Sequence, residues 1–206
     1  MEVAIALIIG FGIFALIIIW AVKYTKKING RKSAFYSDFA RKHNLNHSSS
    51  KYMLTALNVV EGVWNEMPFV IYEQMEGSGK SKTVVTRAII ENVPFDYDFK
   101  IGKEHLFSKA SKMLGMKDIE FGDAEFDKKF LIKAKDEDKF RSFFNYKLQG
   151  ELSNLQKDLA AAIRVDSGIM TYMHYGPIAN NKRFESFEKV VEFMFLMVKE
   201  AQRSRS

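Results

Sequence analysis

From Val3 to Val22 the chain reads VAIALIIGFGIFALIIIWAV, twenty positions without a single polar or charged side chain. A helix of that length spans about 30 Å, the thickness of a bilayer's hydrocarbon core. Thirteen of the twenty are Ile, Leu, Val or Phe, which favours insertion by about 4 to 8 kcal/mol on the translocon scale. The pattern predicts a transmembrane helix. Glu2 precedes the run and AVKYTKK follows it, so the basic n-region and small-x-small site of a cleaved signal peptide are missing and the segment is expected to stay as an anchor.

Beyond the anchor the periodicity changes. In KSAFYSDFARKHNLN the apolar positions Ala34, Phe35, Phe39 and Ala40 predict a short amphipathic helix ended by a left-handed Asn44. LNVVEGVW, FVIYEQM and TVVTRAIIENV are β-branched and aromatic runs separated by short turn-forming segments, an antiparallel meander. In FDYDFKIGKE, Phe95, Tyr97, Phe99 and Ile101 alternate with polar residues, predicting a strand with one buried and one wet face. HLFSKASKMLG follows as a helix closed by Gly115. Phe126, Phe130 and Ile132 lead into a helix expected to start at Asp136 and to bury Phe140, Phe143, Phe144, Leu148, Leu152 and Leu155. A hairpin about Asp166-Ser167-Gly168 and a final helix, with Phe184, Phe187, Val191, Met194 and Val198 facing the core, complete the chain. Phe195 and Met197 make that helix apolar nearly all round, which predicts an interior position. The fold class is α+β: an N-terminal transmembrane helix, then an antiparallel sheet packed with helices.

Charge fixes the orientation of this plan. Lys23, Lys26, Lys27, Arg31 and Lys32 crowd the C-terminal side of the apolar run, and no cation precedes it. The positive-inside rule then puts the N-terminus outside and everything after residue 22 in the cytoplasm. These five cations are the expected membrane-surface contacts. Of the 31 Lys and Arg, seven lie outside residues 33–202, and of the 25 Asp and Glu only Glu2 does, so the domain is formally neutral despite a net charge of +6. That distribution argues against a nucleic-acid partner. The expected organisation is an anchor over 1–22, a basic juxtamembrane linker over 23–33, a cytoplasmic domain over 34–202 and a tail over 203–206.

Candidate chemistry is sparse. The absence of cysteine removes disulfides, thiolate metal sites and cysteine nucleophiles together. GSGKS at 77–81 lacks the first glycine of a phosphate loop, since Gln74 stands there, and a strand rather than a helix follows it, so it reads as a hairpin connection. His43 and His47 stand four apart, but the helix should stop between them. His105 and His174 have no partner legible in sequence. Neither a cofactor nor a metal is implied. Asp118, Glu120, Asp123, Glu125 and Asp127 form a dense acidic loop that could supply an acid–base pair, with a solvated surface loop as the simpler reading.

The order D-x-E-F-D-x-x-F-x-I-x-A-x-D from Asp123 to Asp136, followed by a leucine- and phenylalanine-spaced helix and DSGIMTY, resembles a group of bacterial membrane-anchored proteins of unknown function. The resemblance covers about residues 95–175 and implies a bacterial source and an anchored α+β domain; it brings no catalytic residue. The expected function is a membrane-anchored cytoplasmic binding, scaffold or sensor domain at the cell inner membrane. Its expected partners are membrane lipids through the anchor and a protein, with self-association hinted at by the Ala6 and Gly10 pair. The alternatives are a tethered hydrolase or transferase built on residues 118–127, or a lipid-surface module built on the juxtamembrane lysines.

Overall fold

The computed structural model describes residues 2–103 and 115–204, with side chains in the first helix from Gly12 onward. That helix, α1 (Glu2–Lys42), is continuous through the stretch expected to be a linker. At 41 residues it is about 60 Å long. Its two halves differ. Ile13, Phe14, Leu16, Ile17, Ile18, Ile19 and Trp20 are exposed, whereas Lys32, Tyr36, Phe39 and Ala40 are buried against the sheet. Tyr36 joins the buried stripe where Ala34 was expected, and Ala34 is exposed. Among the described residues no helix is long and apolar enough to cross a membrane; residues 3–11 of the apolar run, with Ala6 and Gly10, contribute no described side chains.

The sheet is antiparallel throughout and has nine strands: β1 (Asn46–Tyr52), β2 (Thr55–Trp64), β3 (Met67–Glu76), β4 (Thr83–Ile90), β5 (Phe99–Gly102), β6 (Lys117–Asp118), β7 (Leu131–Ala134), β8 (Ile163–Asp166) and β9 (Ile169–Tyr175). Their spatial order is β1-β2-β3-β4-β9-β8-β5-β7-β6. The meander of the first four strands is joined to the rest by the β8–β9 hairpin, which turns at Ser167 and Gly168, both at positive φ. Registers such as Val60↔Ile71, Ile71↔Ala88, Ala88↔Tyr172 and Tyr172↔Ile163 line up the apolar side chains of one face. All the described helices that contribute to the core cover that face. Phe187 of α5 (Asn181–Arg203) meets Tyr172, with ring centroids 5.6 Å apart. Phe140 of α3 (Glu137–Phe143) meets Phe99 at 5.1 Å. Phe126 of α2 (Ala124–Lys129) and Leu148 and Leu152 of α4 (Tyr146–Asn154) complete the same core.

Three expectations change here. The helix expected from Asp136 does begin with that residue as its cap, accepting from the Lys139 amide, but it breaks at Phe144 and restarts when Asn145 caps α4 through Leu148 N. The adjacent Phe143 and Phe144 at the break both face the core. Phe126, expected only to lead into that helix, lies on a separate short helix. The β5 strand has no wet face: Lys100, between Phe99 and Ile101, is 0% exposed. Phe195 and Met197 are interior, as the apolar surround of α5 implied. The helix expected at 105–114, with His105, lies outside the described residues.

Candidate functional site

Where α1 crosses the meander, the buried face of the sheet is polar. Glu73 occupies a core-facing position of β3, in step with Phe69 and Ile71, and Lys32 of α1 meets its carboxylate at 3.1 Å, both side chains 2% exposed or less. Asn58 donates to the same Glu73 oxygen from its backbone N, at 3.0 Å, and from Nδ2, at 2.8 Å. The Asn58 Oδ1 is 3.0 Å from His47 Nε2, and Lys32 also donates to the Ala56 carbonyl. Tyr36, one turn further along the helix, lies 3.5 Å from the Thr86 hydroxyl. Burial, and then the Glu73 carboxylate, push the Tyr36 hydroxyl well above the usual tyrosine range. Lys32 therefore leaves the set of membrane-surface cations: one helical turn beyond Asn29 the stem has already turned into the core, and a buried acid takes its charge.

At the far end of α1, the Lys42 ammonium lies 2.7 Å from Glu188 and 3.4 Å from Glu192, successive turns of α5. The His43 imidazole, flanked by Trp64 and Phe39 at 3.9 and 4.6 Å, points Nε2 toward Glu188 at 3.6 Å. Burial and the Lys42 charge hold the His43 pKa below its ordinary value. His43, Glu188 and Glu192 are near enough to share a cation, and the lysine ammonium fills that role. His43 and His47 are parted as expected, by the end of α1 and the positive φ of Asn44.

The opposite face of the sheet carries a concavity of about 720 Å³ lined by Arg87, Arg164, Ser167, Ile169, Thr171, Met173 and Tyr175 among others. Register explains this composition. Arg87 on β4 pairs with Met173 on β9, and Arg164 on β8 pairs with Thr171. The two arginines thus flank β9 with backbones about 12 Å apart, from strand spacing and rise. Arg87 is held by the Glu76 carboxylate on Nη2 and by the Tyr72 ring at 5.8 Å, which leaves its buried Nη1 without a hydrogen-bond partner. Lys100 and Lys133 extend the cationic row from Arg164 across β5 and β7. Burial, then Arg164 and Lys133, lower the Lys100 pKa to about 8.

The acidic segment does not gather into a centre. Asp123 caps α2, accepting from the Glu125 and Phe126 amides, and Asp127 accepts from Phe121 N and Gly122 N at 2.9 and 3.0 Å. Glu125 pairs with Lys129, Asp118 with Lys133, and Glu120 is exposed, its carbonyl taken by Arg141. His174 lies on β9, half-buried, with Nδ1 3.2 Å from the Gly176 carbonyl. Sequence reasoning missed Lys32, Glu73, Arg87 and Arg164 as a set. The alternation in FVIYEQM held one usable signal, because Glu73 shares the parity of Phe69 and Ile71. The arginine pair had none, since β4 and β8 are far apart in sequence. Comparison with known proteins returned no match: no family model, no curated protein and no solved structure resembles the chain.

Proposed function

We propose that this chain is a single-pass inner-membrane protein of bacterial origin, its N-terminus outside and its α+β domain cytoplasmic, which binds an acidic segment of a partner protein on the open face of its sheet. The carrying observation is the concavity in which Arg87 and Arg164 face one another across β9, with the Arg87 Nη1 buried and unpartnered. A guanidinium held on one side by Glu76 and Tyr72 is already oriented, so a carboxylate that completes it meets little ordering cost. On β9, Met173 beside Arg87 and Ile169 beyond Arg164 offer apolar contact for the flanking side chains of such a segment. Support for the anchor comes from the exposed apolar side chains of residues 13–20 and from the exposed cations Lys23, Lys26, Lys27 and Arg31 behind them.

The test is fluorescence anisotropy of a labelled peptide of alternating glutamate and leucine, titrated with the full-length protein in nanodiscs. Binding should weaken tenfold or more in Arg87→Ala and in Arg164→Ala, as expected for the loss of a charged hydrogen bond worth about 1.5–3 kcal/mol. Arg87→Lys should not restore it, because an ammonium lacks the fork. Equal binding by all variants, each with unchanged circular dichroism, refutes the site.

A further inference from the structure

The β1–β2 turn lies beside α1 at the end of the sheet where the helix leaves the domain. Asn29 holds it from both sides: its Nδ2 donates to the Leu54 carbonyl at 2.6 Å, and its Oδ1 accepts from Ala56 N at 3.3 Å. Val22, the last apolar residue of the helix's first half, is seven residues earlier, about 10 Å along the axis. The headgroup layer of each leaflet is about 5–8 Å deep. Resting on the reading that Val3–Val22 spans the bilayer, this places the turn one side-chain length from the headgroups.

The residues at that tip are Met53, 84% exposed, and Leu54, 63% exposed, with Tyr52 beside them. Met53 has φ 54°, a conformation in which glycine or asparagine is the ordinary choice. The other end of the same strand supplies the contrast: the β2–β3 turn also needs positive φ, and there the residues are Asn65 and Glu66. Among the described residues, an apolar side chain is thus carried at a positive-φ, solvent-facing position only at the end nearest the helix's exit. The β3–β4 connection comes to the same end, where Lys82 Nζ is 3.0 Å from the Tyr52 hydroxyl and 5.5 Å above its ring. Lys51, Lys80 and Lys82 are exposed there, together with Lys23, Lys26, Lys27 and Arg31 of α1. The chain from residue 3 to 37, from 46 to 60 and from 77 to 90 contains no Asp or Glu. The whole end of the domain is therefore apolar at its tip and cationic around it.

We infer that the Tyr52–Leu54 turn and the Lys80–Lys82 loop form a second membrane contact, in which Met53 and Leu54 enter the headgroup layer and the lysines bind anionic phospholipid headgroups. The anchor alone leaves the domain free to swivel about a helix. Two contacts set its tilt, and with it the direction in which the Arg87–Arg164 face is presented.

The protein has no cysteine, so a single Leu54→Cys substitution places one bimane label on the tip. Phe14→Cys labels the apolar helix, and Val63→Cys labels the exposed far end of β2. The full chain is reconstituted into phosphatidylcholine vesicles, with or without phosphatidylglycerol, that carry a headgroup-attached nitroxide lipid or one spin-labelled deep in its chains. The chain-labelled lipid should quench the label at 14 in both compositions. The headgroup nitroxide should quench the label at 54 at least twofold more than that at 63 when phosphatidylglycerol is present, and the excess should fall at least by half in Lys80→Ala/Lys82→Ala. If 14 is quenched while 54 behaves like 63, the anchor stands and the tip contact is refuted. If 14 is not quenched, the anchored reading fails and this inference falls with it. If 54 is protected equally with and without lipid by self-association, seen as concentration-dependent bimane quenching, a second copy covers the tip and the lipid contact is likewise refuted.

Discussion

Replacing Lys32 by methionine is the most informative single perturbation of the joint between anchor and domain. The substitution keeps most of the buried stem and removes the ammonium that faces Glu73 at 3.1 Å. At an effective dielectric of 20 the lost attraction is about 5 kcal/mol, but the protein has a cheaper escape, which is to protonate Glu73. Holding a carboxyl of ordinary pKa neutral at pH 7 costs about 3.7 kcal/mol, and at pH 5 about 1 kcal/mol. Lys32→Met should therefore destabilise the fold by about 3–4 kcal/mol at pH 7 and by about 1 kcal/mol at pH 5. The direction follows from proton counting: the variant's folded state keeps a proton on Glu73 that the unfolded state has released, so its stability falls as pH rises above about 4.3. Adding Glu73→Leu removes the stranded acid and should recover part of the loss, leaving two Asn58 donors, the backbone N and Nδ2, without their acceptor. The assay is urea unfolding of the full chain in micelles, followed by Trp64 fluorescence in a Trp20→Phe background at both pH values. A loss below about 1 kcal/mol at pH 7, a loss independent of pH, or no recovery in the double variant would refute the account of a charge-matched joint.

Three further outcomes follow from the same structure. His43, held below its ordinary pKa by burial and Lys42, stays neutral in the fold while the unfolded chain protonates; stability is then fully present above about pH 6.5 and lost below it, and His43→Phe should flatten urea midpoints between pH 7 and 5. Gly77→Ala should cost distinctly more stability than Gly79→Ala, because a Cβ at Gly77 would meet the Ser81 carbonyl oxygen at 2.6 Å whereas Gly79 faces open space; equal thermal shifts would count against this hairpin geometry. Asp123→Ala should lower stability by about 1 kcal/mol through loss of the α2 cap, while Glu120→Ala should change it by less than about 0.5 kcal/mol, a difference that chemical denaturation resolves.

Much of the architecture was legible in the residue pattern because it depends on local rules. The second to fourth strands of the meander, the Ser167-Gly168 hairpin, the cap at Asp136, the hairpin role of GSGKS and the interior position of α5 each follow from period, turn chemistry or capping within a few residues, whereas the polar β1 carries no such signal. Ranking the cations and acids by sequence neighbourhood failed wherever burial depended on a distant strand. Lys32 looks like its juxtamembrane neighbours, yet it is the one whose position on α1 overlies Glu73, 41 residues away. Lys100 sits in an alternating run that reads as half wet, yet its side chain is fully buried in the fold. The acidic segment looked like a site because its carboxylates are close in sequence; in space Asp118 and Glu125 pair with lysines, Asp123 and Asp127 accept from backbone amides, and Glu120 is exposed. Arg87 and Arg164 show the converse. Seventy-seven residues separate them in the chain, and only the insertion of β9 between β4 and β8 brings their side chains over one concavity. The sequence by itself determined most of the strands and helices, the apolar run and its charged flank, since these are set by short-range sterics and transfer energies, while the continuity of α1 and the break between α3 and α4 were not read from it. The tertiary structure alone decided which charges are buried, paired or left open, because desolvation and Coulomb interaction depend on neighbours that strand order, not chain order, supplies.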